Sequence, residues 1–158
     1  MQVICICVKL SLMNNSCPKH LKESKSQLKE NGLKVTAARL GLLDVFKHTQ
    51  KPLTIREISE RLQKQEVDQV TLYRNVESLE HLGLVKKISL RDRGAYYELK
   101  TANHHHHLVC EVCGKMSDIS GCKVTITGPK LLKNTGFAKI SDHSLEFFGL
   151  CQACAKKA

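Results

Sequence analysis

Tryptophan is absent from this chain of 158 residues, aromatic residues make up only 4% of it, and there are three prolines. A core built from such a sequence has to be aliphatic, and collagen-like or polyproline architectures are excluded. No apolar run approaches the roughly 20 residues that a membrane-spanning helix needs. The stretch from Val3 to Leu12 is interrupted by Lys9 and lacks a basic region before it, so it also makes a poor signal peptide. Met13, followed by Asn14, Asn15 and Ser16, offers an alternative start; otherwise residues 1–19 read as an unstructured leader. Acidic side chains are in the minority, 15 against 25 Lys and Arg, for a formal charge of +10. That balance favours a polyanionic partner such as nucleic acid, although charge alone also fits an anionic membrane surface.

What is present is the composition of a soluble globular protein, 42% hydrophobic and 25% charged, long enough for one domain or two small ones. Eight cysteines without an export signal predict a cytoplasmic protein whose thiols pair through metal rather than through disulfides. Cys5, Cys7 and Cys17 lack partners at metal-ligand spacing and read as incidental thiols.

Residues 20–100 read as a helical, basic domain. A polar helix from Lys22 to Glu30 stops at Asn31-Gly32, and Thr36 caps a second helix carrying the stripe Leu40, Leu43, Phe46. Beyond Pro52, Thr54-Ile55-Arg56-Glu57 is a capping box that starts a third helix with Ile55, Ile58 and Leu62 on one side. A fourth helix runs from about Asp68 to Leu82. At 100° per residue it puts Leu72, Val76 and Leu79 on one face and Val70, Tyr73, Arg74 and Glu77 on the other. Helix, short turn, helix is the outline of a DNA-binding helix-turn-helix, and Tyr73 and Arg74 have the chemistry of base readout; a merely solvated helical face is the alternative. Two β-prone runs, Leu84 to Ser89 and Ala95 to Leu99, flank a turn holding Arg91 and Arg93. This predicts a hairpin wing placed to meet phosphates.

Chemistry changes after Thr101-Ala102-Asn103. Cys110-x-x-Cys113 and Cys151-x-x-Cys154 have the spacing of two zinc knuckles, and four thiolates around one structural Zn2+ are expected, redox thiol pairs being the alternative. His104 to His107 adjoin β-prone Leu108-Val109. In a strand His105 and His107 face one way and His104 and His106 the other, so each pair can anchor its own metal, with Glu98 and Asp118 available to complete a mixed nitrogen and oxygen site. The alternative is a solvated, weakly metal-binding tract. A short helix around Pro129 to Asn134, closing at Gly136, and apolar alternation from Phe137 to Phe148, with a strand segment at Ser144 to Phe148 before the second cysteine pair, complete an α/β unit. Its small core makes pairing with a second copy expected.

Four motifs in order then carry a family resemblance: Gly32-Leu33-Lys34-Val35-Thr36 with Arg39; Thr71-Leu72-Tyr73-Arg74; His104 through Cys113 with Gly114-Lys115; and His143-Ser144-Leu145-Glu146 through Gly149 to Cys154. Over about Leu28 to Cys154 the chain resembles the ferric uptake regulator family of metal-dependent transcription factors. The resemblance implies an α+β protein: an N-terminal winged helix-turn-helix domain, then a small α/β dimerisation domain with a four-cysteine zinc site. It implies a homodimer that binds double-stranded operator DNA when metal-loaded, with no enzymatic activity, small-molecule substrate or membrane association. Carried over, Lys34 matches a minor-groove lysine and Tyr73 and Arg74 match major-groove readers, with Arg39, Thr71, Arg91 and Arg93 completing the expected DNA-binding set. Glu98, His105, His107 and Asp118 match the sensory site at the hinge between the domains, and His104, His106 and His143 match a second site.

The chain departs from the family pattern in two places. A sensory histidine of the DNA-binding domain falls on Pro52, with His48 four residues earlier. The usual acidic ligand of the second site falls on Thr125, and Cys122 is expected to stand in, making that site softer. The expected organisation is a leader at 1–19, a winged-helix domain at 20–100 and a metal-binding dimerisation domain at 101–158. The expected function is repression of metal uptake or homeostasis genes, with structural Zn2+ and a regulatory Fe2+ or Zn2+; a peroxide-sensing regulator and a metal storage or delivery protein are the alternatives. A deaminase-type zinc hydrolase is disfavoured, because Val109 stands where that chemistry wants proline before Cys110 and no acid/base residue is placed for it.

Overall fold

Pro18 opens the first helix, a position where its missing N–H costs nothing. In the computed structural model, which describes residues 18–49, 51–62, 66–90, 94–101, 105–120, 132–140 and 145–157, this helix is α1 (Pro18–Glu30). The expectations placed on Cys5, Cys7, Cys17, Arg91, Arg93, His104, Cys122, Thr125 and His143 lie outside those residues. The chain divides into two units, residues 1–100 and 101–158.

In the first unit α1 is followed by α2 (Ala37–Lys47), α3 (Ile55–Leu62) and α4 (Gln69–His81), then by strands β1 (Val85–Ser89) and β2 (Ala95–Leu99). Helix α1 ends as its Asn31-Gly32 pair predicts. Gly32 takes a φ of 71°, Gly32 N–H donates to the Lys29 carbonyl and Leu33 N–H to that of Leu28, satisfying two otherwise orphaned acceptors. Helix α4 ends in the same way on Gly83, with Leu84 N–H donating to Leu79. Thr36 caps α2 by accepting from the Arg39 N–H at 3.3 Å. The capping box of α3 is complete: the Glu57 N–H donates to Thr54 Oγ1 at 3.2 Å, and the Thr54 N–H to Glu57 Oε2 at 2.8 Å.

The apolar stripes of these helices meet in one aliphatic core of Leu28, Leu42, Leu43, Phe46, Ile58, Leu72, Val76 and Leu79, all buried. Strands β1 and β2 form an antiparallel hairpin with Val85 opposite Leu99 and Ser89 opposite Ala95. Leu53, between α2 and α3, exchanges both backbone hydrogen bonds with Tyr97 of β2, so the hairpin is stitched to the helical layer. Helices with a hairpin behind the fourth are the expected winged-helix arrangement.

The second unit is a mixed sheet of β3 (His105–Cys110), β4 (Met116–Ser120) and β5 (Glu146–Gly149) in the order β4-β3-β5, followed by the short helix α5 (Gln152–Ala155). Strand β3 is antiparallel to β4 and parallel to β5. One expectation is corrected here. Of the helix expected around Pro129 to Asn134 only the end lies in the described residues: Leu132 is helical, the chain then turns, and Asn134 and Gly136 take left-handed φ angles of 64° and 77°, in line with the expected close at Gly136. The strand expected over Ser144 to Phe148 is β5, whereas the alternation that begins at Phe137 yields no strand in the described residues before Glu146: Phe137 is 75% exposed, and apolar alternation makes a strand only where a neighbouring edge supplies hydrogen bonds.

Candidate metal centres and nucleic-acid interface

The four cysteines of the two knuckles converge, their sulfurs all within 4.8 Å of one another. The sheet explains this. Parallel neighbours β3 and β5 end side by side with Cys110 opposite Gly149, and the Glu111 N–H donates to the Gly149 carbonyl at 2.9 Å, so both Cys-x-x-Cys turns leave the same edge. In the first turn the Gly114 N–H donates to the Cys110 carbonyl, and Gly114 takes the φ of 73° that a tight knuckle needs. In the second, Cys151 is the N-cap of α5 and Cys154 lies in its only full turn. Cys113 and Cys151 sulfurs lie 3.7 Å apart. Thiolates each about 2.3 Å from one tetrahedral zinc sit about 3.7 Å from each other, so the donor set fits that ion.

The thiols of Cys110 and Cys154 are shifted in opposite directions. Cys110 is pulled down to about 6, first by the Cys113 backbone N–H and then by that of Cys151, which lies 3.4 Å from its sulfur. Cys154 is pushed up to about 12 because its proton is held against the sulfurs of Cys151 and Cys113. Four negative sulfurs cannot share this volume without a positive charge among them.

Strand β3 carries the histidines. The rings of His105 and His107 lie on one face with centroids 5.0 Å apart, and buried His107 has its Nε2 3.7 Å from Asp118 Oδ1 on β4. His106 points to the other face, with its ring 6.4 Å from that of Phe147. The alternation read from the sequence therefore holds for the described part of the run. Glu146, a residue the motif reading passed over as a ligand, is the β5 register partner of His107, so a carboxylate stands beside that histidine on each neighbouring strand. Only strand register reveals it. Glu98 lies on β2 opposite Lys86, and Pro52 is fully buried and offers no ligand atom.

Helix α4 has the two faces its sequence predicts. Leu72, Val76 and Leu79 are buried, while Thr71, Tyr73, Arg74 and Glu77 are exposed, Tyr73 at 43%. Its start is fixed by Asp68, whose carboxylate accepts from the Thr71 N–H at 2.9 Å. That carboxyl is held below its ordinary range by the Thr71 side chain and then the Thr71 backbone. Lys34 is exposed in the segment before α2. Arg39, expected among the DNA contacts, is half-buried: its Nε donates to Asn75 Oδ1 at 3.1 Å and a terminal nitrogen to the Lys34 carbonyl at 3.0 Å. It ties the Lys34 segment to α4, a role that spacing alone did not show.

A third group of metal-capable side chains lies in the first unit, where His20, Asp44 and His48 bring one donor atom each within 4.8 Å of the others. Sequence reading singled out His48 alone. Its i, i+4 relation to Asp44 was visible, but His20 joins only through the packing of α1 on α2.

Comparison with known proteins agrees with this architecture. The model of the ferric uptake regulator family matches residues 30–148. The ferric uptake regulation protein of Neisseria gonorrhoeae is 33% identical over 84% of this chain and 93% of its own length. The peroxide operon regulator of Bacillus subtilis is 32% identical over 87% of this chain and 94% of its own. Among solved structures, the Vibrio cholerae ferric uptake regulator superposes with a TM-score of 0.67 at 28% identity, covering 80% of this chain and 98% of that one.

Proposed function

The chain belongs to the ferric uptake regulator family, and from that premise we propose that it is a cytoplasmic homodimeric repressor of metal-uptake or homeostasis genes that binds operator DNA when loaded with Fe2+ or Zn2+. Membership makes it a metal-dependent transcriptional regulator and not an enzyme. The observation that carries the DNA half of the proposal is α4, whose buried face of Leu72, Val76 and Leu79 leaves Thr71, Tyr73 and Arg74 exposed near a capped N-terminus. Arg74 has the geometry to pair with guanine or phosphate and Tyr73 to touch thymine methyl groups. Lys34 is assigned to the minor groove, and Arg91 and Arg93 to phosphates. Arg39 keeps its assignment to the DNA-binding set, its hydrogen bonds to Asn75 and the Lys34 carbonyl holding Lys34 and α4 in register.

Cys110, Cys113, Cys151 and Cys154 hold the structural Zn2+. His105, His107 and Asp118, with Glu98, are assigned to the regulatory ion, Fe2+ or Zn2+, and His106 with His104, His143 and Cys122 to a second site. When bound, the regulatory ion supplies the differential free energy that shifts the population toward the DNA-competent conformation. The protein's own contribution is to present neutral imidazoles in fixed orientation: strand pairing sets His107 between Asp118 and Glu146, and a ligand held that way loses little entropy on binding. Exposed Leu108 and Phe147, register partners on one face of the second unit's sheet, support pairing with a second copy.

A gel-shift titration of the full chain against the DNA upstream of its own coding region, with Fe2+ under anaerobic conditions and separately with Zn2+, tests the proposal. Equal operator binding by metal-free protein overturns the metal response. A second reading, peroxide sensing, is favoured by the similarity to the Bacillus regulator; release of DNA from the Fe2+-loaded chain by hydrogen peroxide distinguishes it. A storage or delivery role predicts instead that replacing Tyr73 and Arg74 changes nothing.

A further inference from the structure

We propose that His20 on α1 with Asp44 and His48 on α2 form a further binding site for a first-row divalent metal, within the helical unit itself. His20 Nδ1 faces His48 Nε2 at 3.3 Å, and the ring centroids are 4.8 Å apart, inclined at 66°. That separation is long for a nitrogen–nitrogen hydrogen bond, yet it is the edge of a ligand tetrahedron: two imidazole nitrogens each about 2.0–2.1 Å from one ion lie about 3.3 Å apart.

The tautomer of His48 points the same way. Its Nδ1 lies 2.9 Å from the backbone carbonyl of Asp44. A carbonyl only accepts, so Nδ1 carries the proton and donates, leaving the lone pair of Nε2 directed at His20. An imidazole anchored by its far N–H to a carbonyl is the arrangement that orients metal-binding histidines. Asp44 supplies the anionic member. Its Oδ1 is shielded from solvent, makes no hydrogen bond, and lies 3.4 Å from His48 Nδ1, in a group whose donor atoms all fall within 4.8 Å. A buried carboxylate oxygen left in that state costs free energy unless a cation or donor meets it.

The ammonium group of neighbouring Lys47 is directed at Glu23 Oε2, at 3.4 Å. Two neutral imidazoles and one carboxylate suit Zn2+, Co2+, Ni2+ or Fe2+ and disfavour Mg2+ and Ca2+, which take oxygen ligands. An ion there cross-links α1 to the C-terminal end of α2, the helix whose N-terminal turn carries Arg39. Metal thereby stiffens the DNA-binding unit through ligands that belong to neither the thiolate site nor the strand histidines.

The test is metal stoichiometry of the full chain with its structural zinc retained, measured by equilibrium dialysis against Zn2+ and repeated with Co2+ for its visible spectrum. His20→Gln is the deciding variant, because His20 is partly exposed on α1 and the core does not depend on it. His20→Gln and His48→Ala are each expected to remove one and the same equivalent, the double variant removing no more than either. His105→Ala is expected to remove a different equivalent, additive with His20→Gln. The proposal is overturned if His20→Gln retains every equivalent, or if the equivalent it loses is the one lost in His105→Ala. Neither result bears on operator recognition, which the gel shift reads separately.

Discussion

Asn75 Oδ1, from the middle of α4, accepts a 3.1 Å hydrogen bond from Arg39 Nε on α2. Asn75 is buried among residues that otherwise face the core, and Arg39 also donates to the Lys34 carbonyl. One guanidinium therefore sets the position of two elements assigned to different grooves of DNA. Arg39→Lys keeps the charge but loses the fork, and Asn75→Ala removes the acceptor. Each is expected to cost about 1 kcal/mol of stability and to weaken operator binding, with the double variant costing less than the sum. Urea melts and gel shifts of the three variants check this.

Tyr73 and Arg74 separate recognition from folding. Both are exposed on α4, so Arg74→Ala is expected to leave the melting temperature unchanged while costing about 1–3 kcal/mol of operator affinity and relaxing specificity at one base. Competition between operator and unrelated duplex DNA measures the difference.

The capping box makes a pH-dependent contribution. Burial pushes the Glu57 carboxyl up, but hydrogen bonds from the Thr54 backbone and hydroxyl, joined by Lys51, leave it below its ordinary value of 4.5. A carboxyl with a lowered folded-state value contributes stability above its unfolded-state value and loses it as the pH falls through the folded one. Wild-type stability is thus expected to decline below about pH 4.5 more steeply than that of Glu57→Gln. Thr54→Ala is expected to cost about 1 kcal/mol at pH 7. Denaturant melts between pH 3 and 7 read both effects.

Removing one zinc thiolate tests the knuckles. If the cluster holds zinc, Cys113→Ser is expected to release it to a colorimetric chelator and to unfold the second unit or break the proposed dimer, seen by circular dichroism and sedimentation, because an ion on these four sulfurs would tie the ends of β3 and β5 together. Cys122→Ser is the contrasting variant. Unchanged zinc affinity and operator binding there would remove Cys122 from the second site.

The regulatory site is expected to fail in acid. Imidazole ligands bind metal only when neutral, so metal-dependent operator affinity should weaken below about pH 6 as protons displace the ion. His105→Ala should abolish the metal response while leaving the circular dichroism spectrum intact. Titrations of DNA binding against metal at pH 5.5 and 7.5 check the sign.

Local chemistry was legible wherever it is written within a few residues. The Thr36 and Thr54 caps, the glycine stop at Gly32 and the two faces of α4 follow from hydrogen-bonding groups and a period of 3.6. The apolar alternation that begins at Phe137 shows the limit. It is a short pattern, and such a pattern becomes a strand only where a neighbouring edge pairs with it, which among the described residues begins at Glu146.

By itself, then, the sequence determined the helix-and-hairpin outline of the first half, two thiol pairs at knuckle spacing and a histidine run that alternates along a strand. These depend on neighbours in the chain. Only the tertiary structure decided which other distant groups meet: Arg39 with Asn75, His20 with His48, and Glu146 beside His107. Those pairings are set by helix packing and strand register. A slip of one residue reverses the face a side chain presents from a strand and turns it by about 100° on a helix, and no local pattern records that choice.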